Sequence, residues 1–333
     1  MANPSASNPA PGIGTPGDRV LAVRPCPLTG SRDAIVIADR DRHGAPLRNV
    51  QSEASGILYV DPLPVEDLAK FYRDEYRVSY KQSFVPKAKH IYRAGGVALE
   101  RHGHSRQAAR PGMRTLDIGA GGGEWVYLMQ RIGCEAFGIE PNLGYGSFAK
   151  DQYGVEVFLG MYQEASFEPE SFDLLSLYQV LEHLADPVED LRNLSRFLKP
   201  GGLFLIEVPD ILFPGMRFDH KWHEGHLFGF DALTLEAVAA KAGLRKRFLT
   251  VLPGNLFAVF EKSGEETLPL PSLEGHAAAA RAELQRGQAR YWSLPGTYTK
   301  VPRRLAKRIS EKWISSREKS PRAILDRVYH RIA

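Results

Sequence analysis

The chain has 333 residues, enough for a sizeable buried core, and its apolar (43%) and charged (25%) fractions are those of an ordinary soluble globular protein. No apolar run reaches the length that spans a bilayer. Two cysteines, Cys26 and Cys134, are too few for a disulfide framework, so a reducing, cytoplasmic location is expected.

The net charge of +4 is unevenly placed: from Thr297 onward eleven Lys and Arg face three acidic residues, a local +8 that leaves the remainder near −4. Electrostatic attraction to an anionic surface would therefore be a property of the tail. At the other end, residues 1–18 are rich in Pro, Gly, Asn and Ser and offer nothing to bury. They read as a disordered leader, without the charged start and apolar stretch of a signal peptide.

Residues 19–65 carry short β-like runs, Ala34 to Ala38 and Gly56 to Val60, broken by Pro and Gly, and predict a small strand-rich lobe. Residues 66–111 predict a helical lead-in, with Leu68, Phe71 and Tyr72 at helical spacing and an aromatic link through Tyr76, Tyr80 and Phe84. Residues 112–262 alternate strand and helix. Strands are predicted over 114–118, 135–140, 155–159, 172–178 and 203–208, with helices over 124–132, 143–153, 187–198 and 233–242. The Lys199-Pro200-Gly201-Gly202 breaker ends the third of these helices, and 245–252 with 256–261 predicts a closing hairpin. Repeated βα units imply a parallel sheet with helices on both faces and ligands beyond the carboxyl ends of its strands. Residues 263–333 predict a basic helical extension, beginning with a helix near Ala277 to Gln288.

The run TLDIGAGGGEW (115–125) leaves a strand and enters a helix. Gly119, Gly121 and Gly123 allow a tight turn and a close backbone approach to a ligand, though a tight βα turn with no ligand has the same form. A dinucleotide fingerprint started at Gly119 would need glycine where Glu124 stands, and that carboxylate would face a pyrophosphate. A cationic ligand that carries no phosphate tolerates it. Asp117 precedes the loop, and Glu140 closes the next strand, where a carboxylate can accept hydrogen bonds from both ribose hydroxyls.

LDIGAGGGEW, GIEPN, FDLLSLYQVLEHLADP and LKPGGLFLIEVPD, in that order, resemble the class I S-adenosylmethionine (SAM)-dependent methyltransferases, particularly the ubiquinone-biosynthesis-type group. The resemblance covers residues 112–262. It implies a three-layer, Rossmann-like α/β core with a mostly parallel seven-stranded sheet, flanked here by the small N-terminal lobe and the helical C-terminal extension. It implies SAM as cofactor, with Gly119, Gly121 and Gly123 along its methionine and ribose, Asp117 positioning the loop, and Glu140 on the ribose hydroxyls. The acidic residue that family members carry after the third strand is missing. Met161 is then expected to stack on the adenine, with Gln163 or backbone groups on its edge, and Gln179, after the fourth strand, completes the cofactor set.

For the acceptor's proton, His183 lies just past the fourth strand beside Glu182, where it either serves the site or caps and packs the loop. His223 and Glu224 lead as base candidates, since similar sugar C-methyltransferases use such a pair, and His226 reads as structural. The spacing of His220, His223 and His226, with Gly225 inside, does not match a zinc-protease motif, and Thr29 replaces the second cysteine of a C-x-x-C zinc lobe at Cys26, so no metal is expected. The expected reaction is methyl transfer to oxygen, less so carbon, of a small molecule or glycan. A catalytically silent SAM-binding module and a nucleic-acid methyltransferase stay open as alternatives. For the latter the tail is the only support, because the Asn-Pro-Pro-Tyr-type signature is replaced by Tyr-Gln-Val-Leu. In that tail Val301, Leu305, Ile309, Trp313 and Ile314 form one apolar stripe beside Arg303, Arg304, Lys307, Arg308 and Lys312. The stripe suits a helix on an anionic membrane, or one packed on the enzyme's own core or on a second subunit.

Overall fold

The computed structural model describes residues 15–65, 67–71, 73, 85–105, 108–295, 297, 298, 311, 318, 320–330 and 332. Most of the leader, the aromatic link with Tyr72, Tyr76, Tyr80 and Phe84, and the apolar stripe of 301–314 lie outside the described residues.

Strands β1 (Arg19–Leu21), β2 (Asp33–Arg40), β3 (Pro46–Ser52) and β4 (Leu58–Val60) form an antiparallel sheet. Its fifth strand, β10 (Phe228–Gly229), comes from far along the chain and pairs with β4. β3 is polar in sequence, yet Arg48, Asn49, Gln51 and Ser52 are all buried. Burial of Arg48, Asn49 and Gln51 is tolerated because each finds a partner. Arg48 pairs with Asp61 at 2.7 Å, and Gln51 accepts from Arg281 at 2.8 Å.

After a single helical turn at Leu68–Lys70 and helix α1 (Ala88–Ser105), the βα alternation begins. It runs β5 (Arg114–Ile118), α2 (Glu124–Arg131), β6 (Glu135–Glu140), α3 (Leu143–Tyr153), β7 (Glu156–Leu159), β8 (Phe172–Tyr178), α4 (Pro187–Ser195), β9 (Leu198–Pro209), α5 (Ala232–Lys241), β11 (Leu244–Leu252) and β12 (Asn255–Lys262). The second sheet has seven strands in the order β11-β12-β9-β8-β5-β6-β7. Five of them, β9 through β7, are parallel, and the β11–β12 hairpin closes one edge antiparallel. This is the mostly parallel α/β sheet expected from the alternation.

The strands bury both faces. Leu174 and Leu205 point to the layer of α1, α2 and α3, while Leu175, Leu177, Phe204 and Ile206 point to the layer of α4 and α5. Caps fix the helix starts: Asn142, Asp186 and Asp231 each accept a backbone N–H from the first turn of α3, α4 and α5, and Pro187 occupies the first turn of α4. The Lys-Pro-Gly-Gly breaker lies inside β9 rather than before it. Phe172 pairs with Leu198 but Leu174 with Leu203, so residues 199–202 bulge opposite Asp173, which Lys199 holds at 2.6 Å. Beyond the sheet, α6 (His276–Arg290) ties to the small sheet through Arg281, and α7 (Pro321–Tyr329) packs on α1.

Candidate active site

A cleft of about 670 Å³ opens beyond the carboxyl ends of β5, β6 and β8. The glycine loop forms one wall. Gly119, Gly121 and Gly123 all hold positive φ (+74, +57 and +82), which costs a glycine nothing. A Cβ at Gly119 would stand 2.6 Å from Val180 Cγ2, and one at Gly123 would stand 2.6 Å from Ala149 Cβ. Gly119 and Gly121 line the cleft, whereas Gly123 caps α2 and lets it pack on α3.

Glu140, 2% exposed, accepts the Gly121 N–H at 2.7 Å and the Asn142 N–H at 3.0 Å. Asp117 is buried beneath the loop and accepts from Ser176 Oγ at 2.6 Å. Burial pushes its carboxyl up to about 7 against that hydrogen bond. Met161 and Tyr162 line the cleft, where the Met161 N–H is donated to Glu164 at 2.7 Å; Gln163 is outside the lining. Gln179 holds φ +59, uncommon for a residue with a Cβ, and its amide donates to Glu207 at 3.2 Å. Glu207 is also held by Arg101 at 2.7 Å.

These residues fit SAM. The wall is bare backbone with carboxylates at Glu124 and Glu140, an anionic surface suited to a sulfonium and an ammonium and hostile to a pyrophosphate. Glu140 also keeps acceptor capacity, because each carboxylate oxygen can accept twice.

The opposite wall comes from the segments after β8 and β9. Glu182, His183, His223 and His226 converge there. His183 Nδ1 donates to the Gly225 carbonyl at 2.5 Å, which leaves Nε2 as the acceptor nitrogen of the neutral ring. His226 meets His183 edge-on, with centroids 4.9 Å apart, and stacks on His223 at 4.6 Å. His223 Nδ1 accepts the Gly225 N–H at 2.9 Å, so its neutral ring carries the proton on Nε2. Burial, with Arg42 beside it, lowers His223 to about 4, and burial among the other imidazoles holds His226 well below its ordinary value. Glu224 is outside the cleft lining and faces Arg42 at 3.7 Å.

Glu182 is 1% exposed, and among the described residues neither of its oxygens accepts a hydrogen bond. Burial pushes its carboxyl up to about 8. Glu182, His183 and His226 each place a ligand-type atom within 4.8 Å of the others, a donor set that would also suit a divalent cation.

The sequence reading did not single out His90, Arg93 and Arg101, which reach the cleft from one face of α1. Their spacing of three and eight is helical, but it resembles any solvated helix face. It also missed the small sheet's contribution, Arg42, Asn49 and Leu58.

Residues 92–247 match a family model described as a methyltransferase domain. The ubiquinone biosynthesis O-methyltransferase of Ruegeria pomeroyi is 41% identical over 97 residues, covering 28% of this chain and 39% of that protein. Its namesake in a Ruegeria species is 31% identical over 158 residues, 46% of this chain and 60% of the relative. The chain thus spans roughly two to three fifths of the curated relatives' length. A SAM-dependent methyltransferase structure from Aquifex aeolicus covers 53% of this chain and 99% of its own, at 14% identity and a TM-score of 0.44. With the ordered sheet, the glycine loop and the matched segment in agreement, residues 92–247 form a class I SAM-dependent methyltransferase domain.

Proposed function

We propose that this chain transfers a methyl group from SAM to a hydroxyl oxygen of a small molecule. The observation that carries the reading is His183, held by its Nδ1–H on Gly225 so that Nε2 is the basic nitrogen of its neutral ring, in the same cleft as the glycine loop. SAM, when bound, supplies a methyl group on a good leaving group, so the enzyme's work is alignment and removal of the acceptor's proton. His183 Nε2 takes that proton. His223 presents an N–H and is a weak base, so its role is to donate a hydrogen bond to the acceptor. Asp117 and Glu140 hold the cofactor, with Met161 at its adenine.

Leu58, Val97, Ile211, Met216, Trp222 and Phe228 line the acceptor half. Such a surface supports a ring-bearing, largely apolar acceptor over a glycan. The names of the Ruegeria proteins, ubiquinone biosynthesis O-methyltransferases, point the same way for the class of reaction.

A second reading has its own support. Glu182, His183 and His226 would bind a divalent cation that holds the acceptor oxygen as its anion. Turnover of phenolic and catecholic acceptors, followed as released S-adenosylhomocysteine before and after chelation, separates the two. Turnover that survives chelation supports His183 as base, and loss restored by added metal supports the cation. SAM binding without turnover on any acceptor would leave a silent binding module.

We also propose that the basic segment 301–317 serves the enzyme itself rather than a membrane surface. Glu311, within it, is 2% exposed and grips Arg93 through two hydrogen bonds of 2.9 and 2.6 Å. Among the described residues no helix is long and apolar enough to cross a membrane.

A further inference from the structure

Helix α7 lies some seventy residues beyond the matched methyltransferase segment, yet it touches both helices that wall the cofactor half of the cleft. α1 has two working faces. His90, Arg93, Val97 and Arg101 look into the cleft, and Ile91, Gly95 and Leu99 look toward α7. The approach is close at Gly95, where a Cβ would stand 2.7 Å from Leu325 Cδ2 and 3.6 Å from the Tyr329 hydroxyl. Leu325 and Tyr329 are fully buried.

The second contact is polar. The Tyr329 hydroxyl donates to the Glu124 carbonyl at 2.9 Å, across 205 residues of sequence. Glu124 is the first residue of α2, directly after the glycine loop, and it lines the cleft. One turn further on, Asp326 accepts from the Tyr127 hydroxyl at 2.6 Å and from Arg131 at 2.7 Å. α7 therefore holds α2 along its length and α1 across Gly95. The two cleft walls thus share α7 as a common support.

We propose that α7 is a working part of the cofactor site and that Tyr329 is a positioning residue, setting the start of α2 and so the glycine loop. The proposal rests on the cleft being the cofactor site. A helix that merely added stability would lower the unfolding temperature and leave cofactor affinity, measured well below that temperature, unchanged. A helix that sets the loop geometry changes the affinity itself, because a pre-organised site spends less binding energy on ordering.

The experiment is calorimetric binding of S-adenosylhomocysteine to the full-length chain at low temperature, with thermal unfolding of the ligand-free protein alongside. Tyr329→Phe keeps the ring and removes only the hydrogen bond, and it should weaken binding about three- to tenfold while the protein remains folded. Gly95→Leu, which places a side chain where Leu325 packs, should weaken it more. Binding by Tyr329→Phe within twofold of wild type overturns the proposal, whatever Gly95→Leu does to folding. Absence of binding by the wild-type chain would instead overturn the cofactor reading, so the two failures are distinct.

Discussion

The Glu140 carboxylate accepts the Gly121 N–H at 2.7 Å, so the acid that ends β6 holds the loop that ends β5. One side chain thereby fixes the loop and, under the proposed function, also receives the ribose hydroxyls. Glu140→Ala removes both, and SAM affinity should fall by about 1.5–3 kcal/mol or slightly more, the range for hydrogen bonds to a charged group. Calorimetry with SAM and, separately, NAD checks this. NAD should not bind, because Glu124 stands where a pyrophosphate would need glycine.

His183 and His223 are expected to separate kinetically, because opposite tautomers are imposed on them. Gly225 accepts from His183 through its carbonyl and donates to His223 through its N–H. His183→Ala should lower turnover about 100-fold or more with SAM affinity nearly unchanged, as loss of a general base does. His223→Ala should act chiefly on the KM for the acceptor. Steady-state kinetics with a working acceptor, with and without a chelator, would show it. Equal loss of kcat in both variants would argue against the assignment.

Asp117 predicts a pH dependence of stability. Its native carboxyl is raised by burial to about 7 from an ordinary 3.8, so the folded chain binds this proton more tightly than the unfolded chain. The stability it contributes is full below about 3.8 and is lost as pH climbs through about 7. Asp117→Asn keeps an acceptor for Ser176 and removes the titration. From pH 5 to 8 the wild-type melting temperature should fall more steeply than that of the variant. Glu182, raised to about 8, titrates in both proteins and gives them the same additional slope.

The parallel strands were legible because each is a short apolar run bounded by Gly, Pro or a capping Asn or Asp, and β5 to β8 lie within a residue of their predicted positions. β3 was not, since Arg48, Asn49 and Gln51 read as surface and become core only through partners such as Asp61 and Arg281. β10 has two residues and no periodicity to find. The start of α7 did leave a sign, Ser320 before Pro321, and Ser320 does cap the helix. In the site, the glycine loop and Glu140 are local in sequence. The tautomers of His183 and His223 depend on one loop's backbone, and the cleft face of α1 depends on how that helix packs, so neither could be read from spacing.

The basic tail gives the last test. Each Lys or Arg near an anionic bilayer contributes roughly 1 kcal/mol at low salt, so Lys300, Arg303, Arg304, Lys307 and Arg308 together would give visible adsorption if they lay on a surface. Glu311 argues against that role, because it is buried against Arg93 of α1. Full-length protein should remain in the supernatant with vesicles containing anionic lipid at physiological salt. A variant with those five cations changed to Gln should behave identically. Pelleting of the wild type that is lost in the variant and weakened by added salt would place the tail on a membrane.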